Sequence, residues 1–82
     1  MTQQEKLLER LHNNPKNVRF EEIDALLTSY GFAVRQPRGG SSHYVYRRGK
    51  WIITIARRKP FIHSKAVREV LNAINEILEA DE

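Results

Sequence analysis

The sequence predicts an α+β domain of two layers, in which helices cover one face of a three-stranded antiparallel sheet. Apolar residues recur at helical spacing near both ends of the chain, over residues 2–30 and 64–79. Between them, residues 32–56 change to a strand pattern rich in aromatic and β-branched side chains. The connections between these strands are too short for a crossover, which predicts a meander in the order α-α-βββ-α. With 82 residues, one domain spanning 1–82 is the default expectation.

The first part of the chain predicts two helices. A leading helix over residues 2–12 starts with the capping-box pattern of Thr2 and Glu5 and is stopped by the Asn-Pro pair at 14–15. A second helix runs from about Phe20 to Tyr30, and Gly31 is suited to end it in a left-handed conformation. The apolar residues at helical spacing are Leu7, Leu8 and Leu11 in the leading helix and Phe20, Ile23, Leu26, Leu27 and Tyr30 in the second.

Three strands are predicted next. Phe32–Gln36 forms the first and ends at Pro37, Ser42–Arg48 forms the second, and Trp51–Ala56 forms the third. The turn between the last two contains Gly49, which tolerates the dihedral angles that tight hairpin turns require.

A basic connection over residues 57–63 leads to the last predicted helix, roughly Lys65–Glu79, with Ser64 as its N-cap. A continuous apolar stripe runs along this helix at Val67, Val70, Leu71, Ile74, Ile77 and Leu78. We interpret the stripe as core, because a three-stranded sheet needs a covering layer to be stable.

Charge is segregated along the chain, whose formal net charge is +4. Residues 25–68 contain no Asp or Glu. The ten basic residues of this segment are Arg35, Arg38, Arg47, Arg48, Lys50, Arg57, Arg58, Lys59, Lys65 and Arg68. Such a segment repels itself and suits a polyanionic partner such as RNA. A solvated basic face without a partner is the alternative that this pattern leaves open.

Several classes of site find no support. The chain has no cysteine, so disulfides and thiolate metal sites are excluded. No cluster of His, Asp or Glu has metal-ligand spacing, and the glycine pair at 39–40 lacks the context of a phosphate-binding P-loop. We therefore expect no metal and no cofactor. No signal peptide or membrane span is recognisable, which leads us to expect a soluble, cytoplasmic protein with no membrane partner.

His43 is the histidine whose surroundings indicate function. Strand alternation places Ser42, Tyr44 and Tyr46 on one face and His43, Val45 and Arg47 on the other. If the tyrosines fill the helix-covered face, His43 looks out from the open face beside Arg47. An imidazole titrates near neutral pH and suits acid–base catalysis on RNA. A histidine that only hydrogen-bonds a phosphate is equally compatible with the residue pattern.

The other histidines and the aromatic residues carry weaker signals. We expect His12 to be a surface residue and His63 a loop residue. Tyr44, Tyr46 and Trp51 have the chemistry to stack on bases, although aromatics in so small a sheet are more often core residues. We interpret Tyr46 as core, and the sequence leaves the role of Trp51 open.

The helix–three strands–helix order, with Ser41-Ser42-His43 at the entry to the second strand, resembles the HicA (YcfA-like) toxin family. The similar stretches are "LLTSYGFAVRQPRGGSSHYVYRR" and "IITIARRKPFIHSKAVREVL", within a common core of about residues 20–78. The leading helix, residues 2–12, lies outside that core. Arg48 and Arg57 occupy places near which the family often has further histidines.

The resemblance implies a fold like the double-stranded-RNA-binding domain and a ribonuclease that cuts messenger RNA. It also implies a HicB-type antitoxin as the neutralising partner, in a hetero-oligomer. His43 falls on the family's catalytic histidine, followed at the matching distance by the aromatic Tyr46.

We therefore expect a metal-independent endoribonuclease of a toxin–antitoxin system, with His43 as general acid/base. Ser42 and Gly40 are expected to position the phosphate. The residues expected to hold the RNA backbone are Arg35, Arg38, Arg47, Arg57, Arg58 and Lys59. The alternative is a non-catalytic RNA-binding module of the same fold. A pure protein-interaction domain fits less well, because residues 25–68 lack any acid.

Overall fold

A computed structural model describes residues 2–36 and 42–80 of the chain. It confirms the α+β class and the order α-α-βββ-α. The elements are α1 (Gln3–Asn13), α2 (Phe20–Ser29), β1 (Ala33–Arg35), β2 (His43–Arg48), β3 (Trp51–Ala56) and α3 (Ser64–Ala80). In the described part of the chain, no helix combines the length and apolar character needed to cross a bilayer.

The three strands form one antiparallel sheet in the order β1-β2-β3. Tyr46 is the central residue of the register, opposite Val34 on one side and Ile53 on the other. The first strand is shorter than the predicted Phe32–Gln36, because only its three central residues pair with β2 and Phe32 is instead buried in the core.

The start of α3 corrects one prediction. Ser64 was expected to be the N-cap, but it is the first helical residue and His63 precedes it. The Nδ1 atom of His63 accepts a hydrogen bond of 3.2 Å from the N–H of Lys65, and the His63 carbonyl accepts from Ala66 and Val67. His63 therefore acts as the cap, since its side chain satisfies one of the unpaired N–H groups at the helix start.

All three helices contribute to one core on the inner face of the sheet. Leu11 of α1 is fully buried, and α1 packs against both α2 and α3. The Gln4 amide also donates to the Ser29 carbonyl at 2.9 Å, which ties the first turn of α1 to the end of α2. The leading helix is thus an integral part of the folded domain.

Tyr46 connects β2 to α2 through a hydrogen bond. Its side chain is fully buried, and its hydroxyl donates to Oδ1 of Asp24 at 2.7 Å. Burial, followed by the hydrogen bond to Asp24, raises the pKa of the Tyr46 phenol far above its usual value. Because Tyr46 lies three residues after His43 in the same strand, this contact helps to fix the strand that presents the histidine.

Candidate nucleic-acid interface

The three described helices all pack on one face of the sheet, and we call the other face the open face. Cross-strand partners project to the same side of a sheet, so the register assigns its members. They are Ala33, Arg35, His43, Val45, Arg47, Ile52, Thr54 and Ala56. All are exposed except Val45 and Ala56, which are half-buried. The face combines cations with apolar surface, and Ile52 has 59% of its area exposed.

His43 lies at one end of the open face. It is the first residue of β2, it is exposed, and it pairs with Ala56, the last residue of β3. Arg35 pairs with Val45 and is therefore the diagonal neighbour of His43, with Cα atoms roughly 7–8 Å apart. Arg35 is the strand cation nearest to the histidine.

Arg47 shares the face with His43 but lies at the other end of β2. Four residues of strand separate the two Cα atoms by roughly 13 Å. Arg47 is opposite Ala33 and Ile52. The expectation that His43 lies beside Arg47 is therefore correct for the face and wrong for the distance.

Ser42 connects the histidine to the basic segment after β3. The Ser42 carbonyl accepts a hydrogen bond of 2.7 Å from the Arg57 N–H. This bond continues the β2–β3 pairing by one step and brings residues 57–59 to the end of the sheet that carries His43. Ser42 is exposed. Two other expected RNA-binding residues, Arg38 and Gly40, lie outside the described residues.

The side chain of Arg57 is directed to the helix side of the sheet. Its guanidinium lies 5.1 Å from the ring centre of Phe20, and Nη2 is 3.7 Å from a carboxylate oxygen of Glu21. Nη1 is 3.5 Å from the Tyr44 hydroxyl. Arg57 was expected to hold the RNA backbone, and its side chain lies on the opposite side of the sheet from the open face.

Arg58 and Lys59 are exposed and line a cleft of about 900 Å³ that we call the basic cleft. It lies between the α1–α2 connection, the first turn of α2 and the β3–α3 connection. The cations that line it among the described residues are Arg10, Arg19, Arg57, Arg58 and Lys59. Arg10 and Arg19 carry no signal in the sequence pattern, because they precede the acid-free segment and come near residues 57–59 only through folding.

The aromatic residues of β2 and β3 lie on the helix side of the sheet. Tyr46 is core, as predicted, and Tyr44 is half-buried with its ring 4.8 Å from that of Phe20. Trp51 is also half-buried on the helix side, where its Nε1 donates to a carboxylate oxygen of Glu76 at 2.9 Å. Trp51 is therefore attached to α3 and does not belong to the open face.

The remaining histidines lie elsewhere. His12 is exposed near the end of α1, and His63 caps α3. Among the described residues, no group of three or more His, Asp or Glu side chains has an arrangement that could hold a metal ion.

No family model, curated protein or solved structure matches the chain. The resemblance to the HicA family consequently stays a hypothesis that depends on the residues named for it.

Proposed function

We propose that the chain is an endoribonuclease of the toxin–antitoxin type, with His43 as its general acid/base. The observation that carries the proposal is the position of His43, exposed at one end of the open face. Arg35 is its diagonal neighbour, and the backbone of Arg57 is bonded to the residue before it. An imidazole and cations at one accessible edge are the groups that RNA cleavage through the 2′-hydroxyl requires.

In the proposed reaction, His43 takes the proton of the 2′-hydroxyl. The O2′ atom then forms a bond to the adjacent phosphorus as the P–O5′ bond breaks. The departing O5′ takes up a proton from solvent, which leaves a 2′,3′-cyclic phosphate and a 5′-hydroxyl. The negative charge on the phosphoryl oxygens increases in the transition state, where Arg35 would stabilise it.

This chemistry selects RNA over DNA, because DNA has no 2′-hydroxyl. Arg47, at the far end of the open face, would bind a phosphate further along the strand. Arg58 and Lys59 would contact the backbone on the other side of His43. No step of this reaction needs a metal, since His43 accepts the proton of the 2′-hydroxyl, Arg35 stabilises the phosphoryl charge and solvent protonates O5′. We propose messenger RNA in the cytoplasm as the substrate, on the family resemblance.

The proposed antitoxin is an acidic HicB-type protein that covers the open face and forms a hetero-oligomer with the chain. Two features support a protein partner there. The cations of the face would attract an acidic surface and make association fast and dependent on salt. Ile52, which pairs with Arg47 and has more than half of its area exposed, would supply apolar contact area.

The test compares the chain with His43→Ala in RNA cleavage assays with a chelator present, alongside RNA binding measured separately. We expect both to bind RNA and only the wild type to cleave it, leaving cyclic phosphate ends. Binding without cleavage by either protein would establish the non-catalytic RNA-binding module instead. Activity lost on adding the chelator would contradict the metal-free mechanism.

A further inference from the structure

We propose that the basic cleft is a second RNA subsite, which holds a nucleotide flanking the one cleaved at His43. The phosphate would bind Arg19, Arg58 and Lys59, and the base would stack on Phe61. One wall of the cleft is formed by α1 and the α1–α2 connection. The subsite therefore gives the leading helix a functional role. This inference rests on the proposed function, because it places a flanking nucleotide relative to His43.

The cations of the cleft differ in their availability. Arg10 pairs with Glu22, and Arg57 lies near Glu21, so the two carboxylates of the cleft are each matched by one arginine. Within the described ranges, the side chains of Arg19, Arg58 and Lys59 make neither a salt bridge nor a hydrogen bond. Three unmatched cations around one cleft are an electrostatic site for a phosphate.

The Arg19 side chain can bind a ligand because it does not cap the start of α2. Its N–H donates to the Glu22 carboxylate at 3.3 Å, which is the half of a capping box that any residue can supply. A guanidinium has donors and no acceptor, so it cannot cap the helix itself. The Arg19 side chain is thus left to act on a ligand.

Phe61 supplies the apolar component of the cleft. It remains 37% exposed, whereas its neighbour Ile62 is buried in the core. Phe20 also lines the cleft, but it is nearly buried and its ring is next to the Arg57 guanidinium. Single-stranded RNA is commonly bound by stacking a base on an aromatic ring while cations contact the phosphates. A cleft of about 900 Å³ is within the size range of small-ligand pockets and can accept a nucleotide.

The cleft and His43 are adjacent along the chain path. Arg58 and Lys59 follow directly after Arg57, whose N–H is bonded to the carbonyl of Ser42. The cleft lies on the helix side with Phe20 and Arg57, so RNA that passes His43 on the open face would turn around this end of the sheet at residues 58 and 59 to enter it.

The test uses the full chain and a fluorescein-labelled single-stranded oligoribonucleotide with 2′-O-methyl groups, which binds but cannot be cleaved through O2′. Binding is followed by anisotropy over a range of salt. Arg19→Ala is compared with Lys16→Ala, because Lys16 is an exposed residue of the same connection that does not line the cleft. Both variants lose one positive charge, so only the position differs. We expect Arg19→Ala to weaken RNA binding about fivefold, with little change for Lys16→Ala. The magnitude of the slope of log K for binding against log salt concentration, which we call the salt slope, should fall by about 0.7 in Arg19→Ala.

A second pair of measurements tests stacking. Phe61→Leu keeps apolar volume but loses the aromatic ring, and we expect about tenfold weaker oligonucleotide binding with heparin binding unchanged. Equal effects of Arg19→Ala and Lys16→Ala would overturn the subsite while leaving the nuclease proposal intact. If Arg19→Ala instead weakens binding of polyglutamate and not of RNA, the cleft is a protein-docking site and the inference is wrong. A wild-type chain that binds no RNA at all would overturn both proposals.

Discussion

The N–H of Arg57 donates to the carbonyl of Ser42 at 2.7 Å and fixes the end of β3 to the residue before His43. Alternation then turns the Arg57 side chain to the helix side. Among the described strand residues, the cation nearest to His43 on the open face is therefore Arg35 of β1, and Arg58 and Lys59 follow Arg57 at the same end of the sheet. The site is thus arranged along one end of the sheet. Cations near that end should therefore affect the rate of RNA cleavage, and cations far from it should affect RNA binding.

Arg35→Ala and Arg47→Ala should separate catalysis from binding. Arg35 is the diagonal neighbour of His43, so its loss should lower kcat about tenfold or more by removing transition-state stabilisation. Arg47 is roughly 13 Å away along the strand, so its loss should weaken RNA binding and lower the salt slope with kcat nearly unchanged. Single-turnover kinetics over a range of enzyme concentrations give the cleavage rate constant at saturation and the half-saturating concentration, which report the two effects separately. A larger loss of kcat in Arg47→Ala would show that the scissile phosphate lies at the other end of β2.

Tyr46→Phe should destabilise the domain by about 1–3 kcal/mol, because it leaves the half-buried Asp24 carboxylate without the phenol donor. Urea denaturation followed by circular dichroism measures the change in free energy of unfolding. Tyr44→Phe is the matched control, since Tyr44 is half-buried and its hydroxyl has a long, weak contact of 3.5 Å with Nη1 of Arg57. This change should alter stability by less than about 0.5 kcal/mol. Equal losses in the two variants would contradict a specific role for the Tyr46–Asp24 bond.

The loss of stability in Tyr46→Phe should depend on pH. The folded protein holds the Tyr46 proton at a pKa far above that of the unfolded chain, which releases it near pH 10. The contribution of Tyr46 is therefore complete below about pH 10 and declines as the pH rises further, because only the unfolded state then loses the proton. Tyr46→Phe cannot ionise, so the stability gap between wild type and variant should narrow above that pH. A gap that widens with rising pH would mean that the sign of the pKa shift is wrong.

The fluorescence emission of Trp51 should not change when RNA binds, because its ring lies on the helix side and its Nε1 donates a hydrogen bond to Glu76. It is the only tryptophan, so its emission reports on one place in the fold. Titration with the 2′-O-methylated oligonucleotide should leave this emission unchanged. The control is Thr54→Trp in a Trp51→Phe background, which places the indole on the open face and should be quenched. Quenching of Trp51 at the concentration where anisotropy saturates would show that RNA also contacts this side.

The sequence could predict the layers and the exposure of His43, because both follow from local periods. A strand alternates every second residue, so once Tyr46 is assigned to the core, His43 must face the other way. The separation of His43 from Arg47 was also contained in the strand rise, although the shared face suggested that they were neighbours. The cap of α3 was predicted wrongly, because His63 caps the helix although Ser64 is the residue type that N-cap preferences favour.

Tertiary features could not be predicted in this way. The direction of Arg57 depends on Phe20 and Glu21 at the start of α2, which reach it only when the helix packs on the sheet. The basic cleft likewise requires Arg19 to approach the segment after β3, and no spacing in the chain encodes that approach. Charge segregation indicated a basic surface but not how its members divide between the open face and the cleft.

Leu11→Ala should show that the leading helix is necessary for the fold. Leu11 is fully buried in the common core, so its truncation should cost about 2–5 kcal/mol, a large share of the roughly 5–15 kcal/mol typical of a whole domain. Leu8→Ala, at a partly buried position of the same helix, should cost clearly less. Thermal and urea unfolding give both values. Equal, small losses in the free energy of unfolding of the two leucine variants would mean that α1 does not stabilise the core and does not hold its side of the cleft in place.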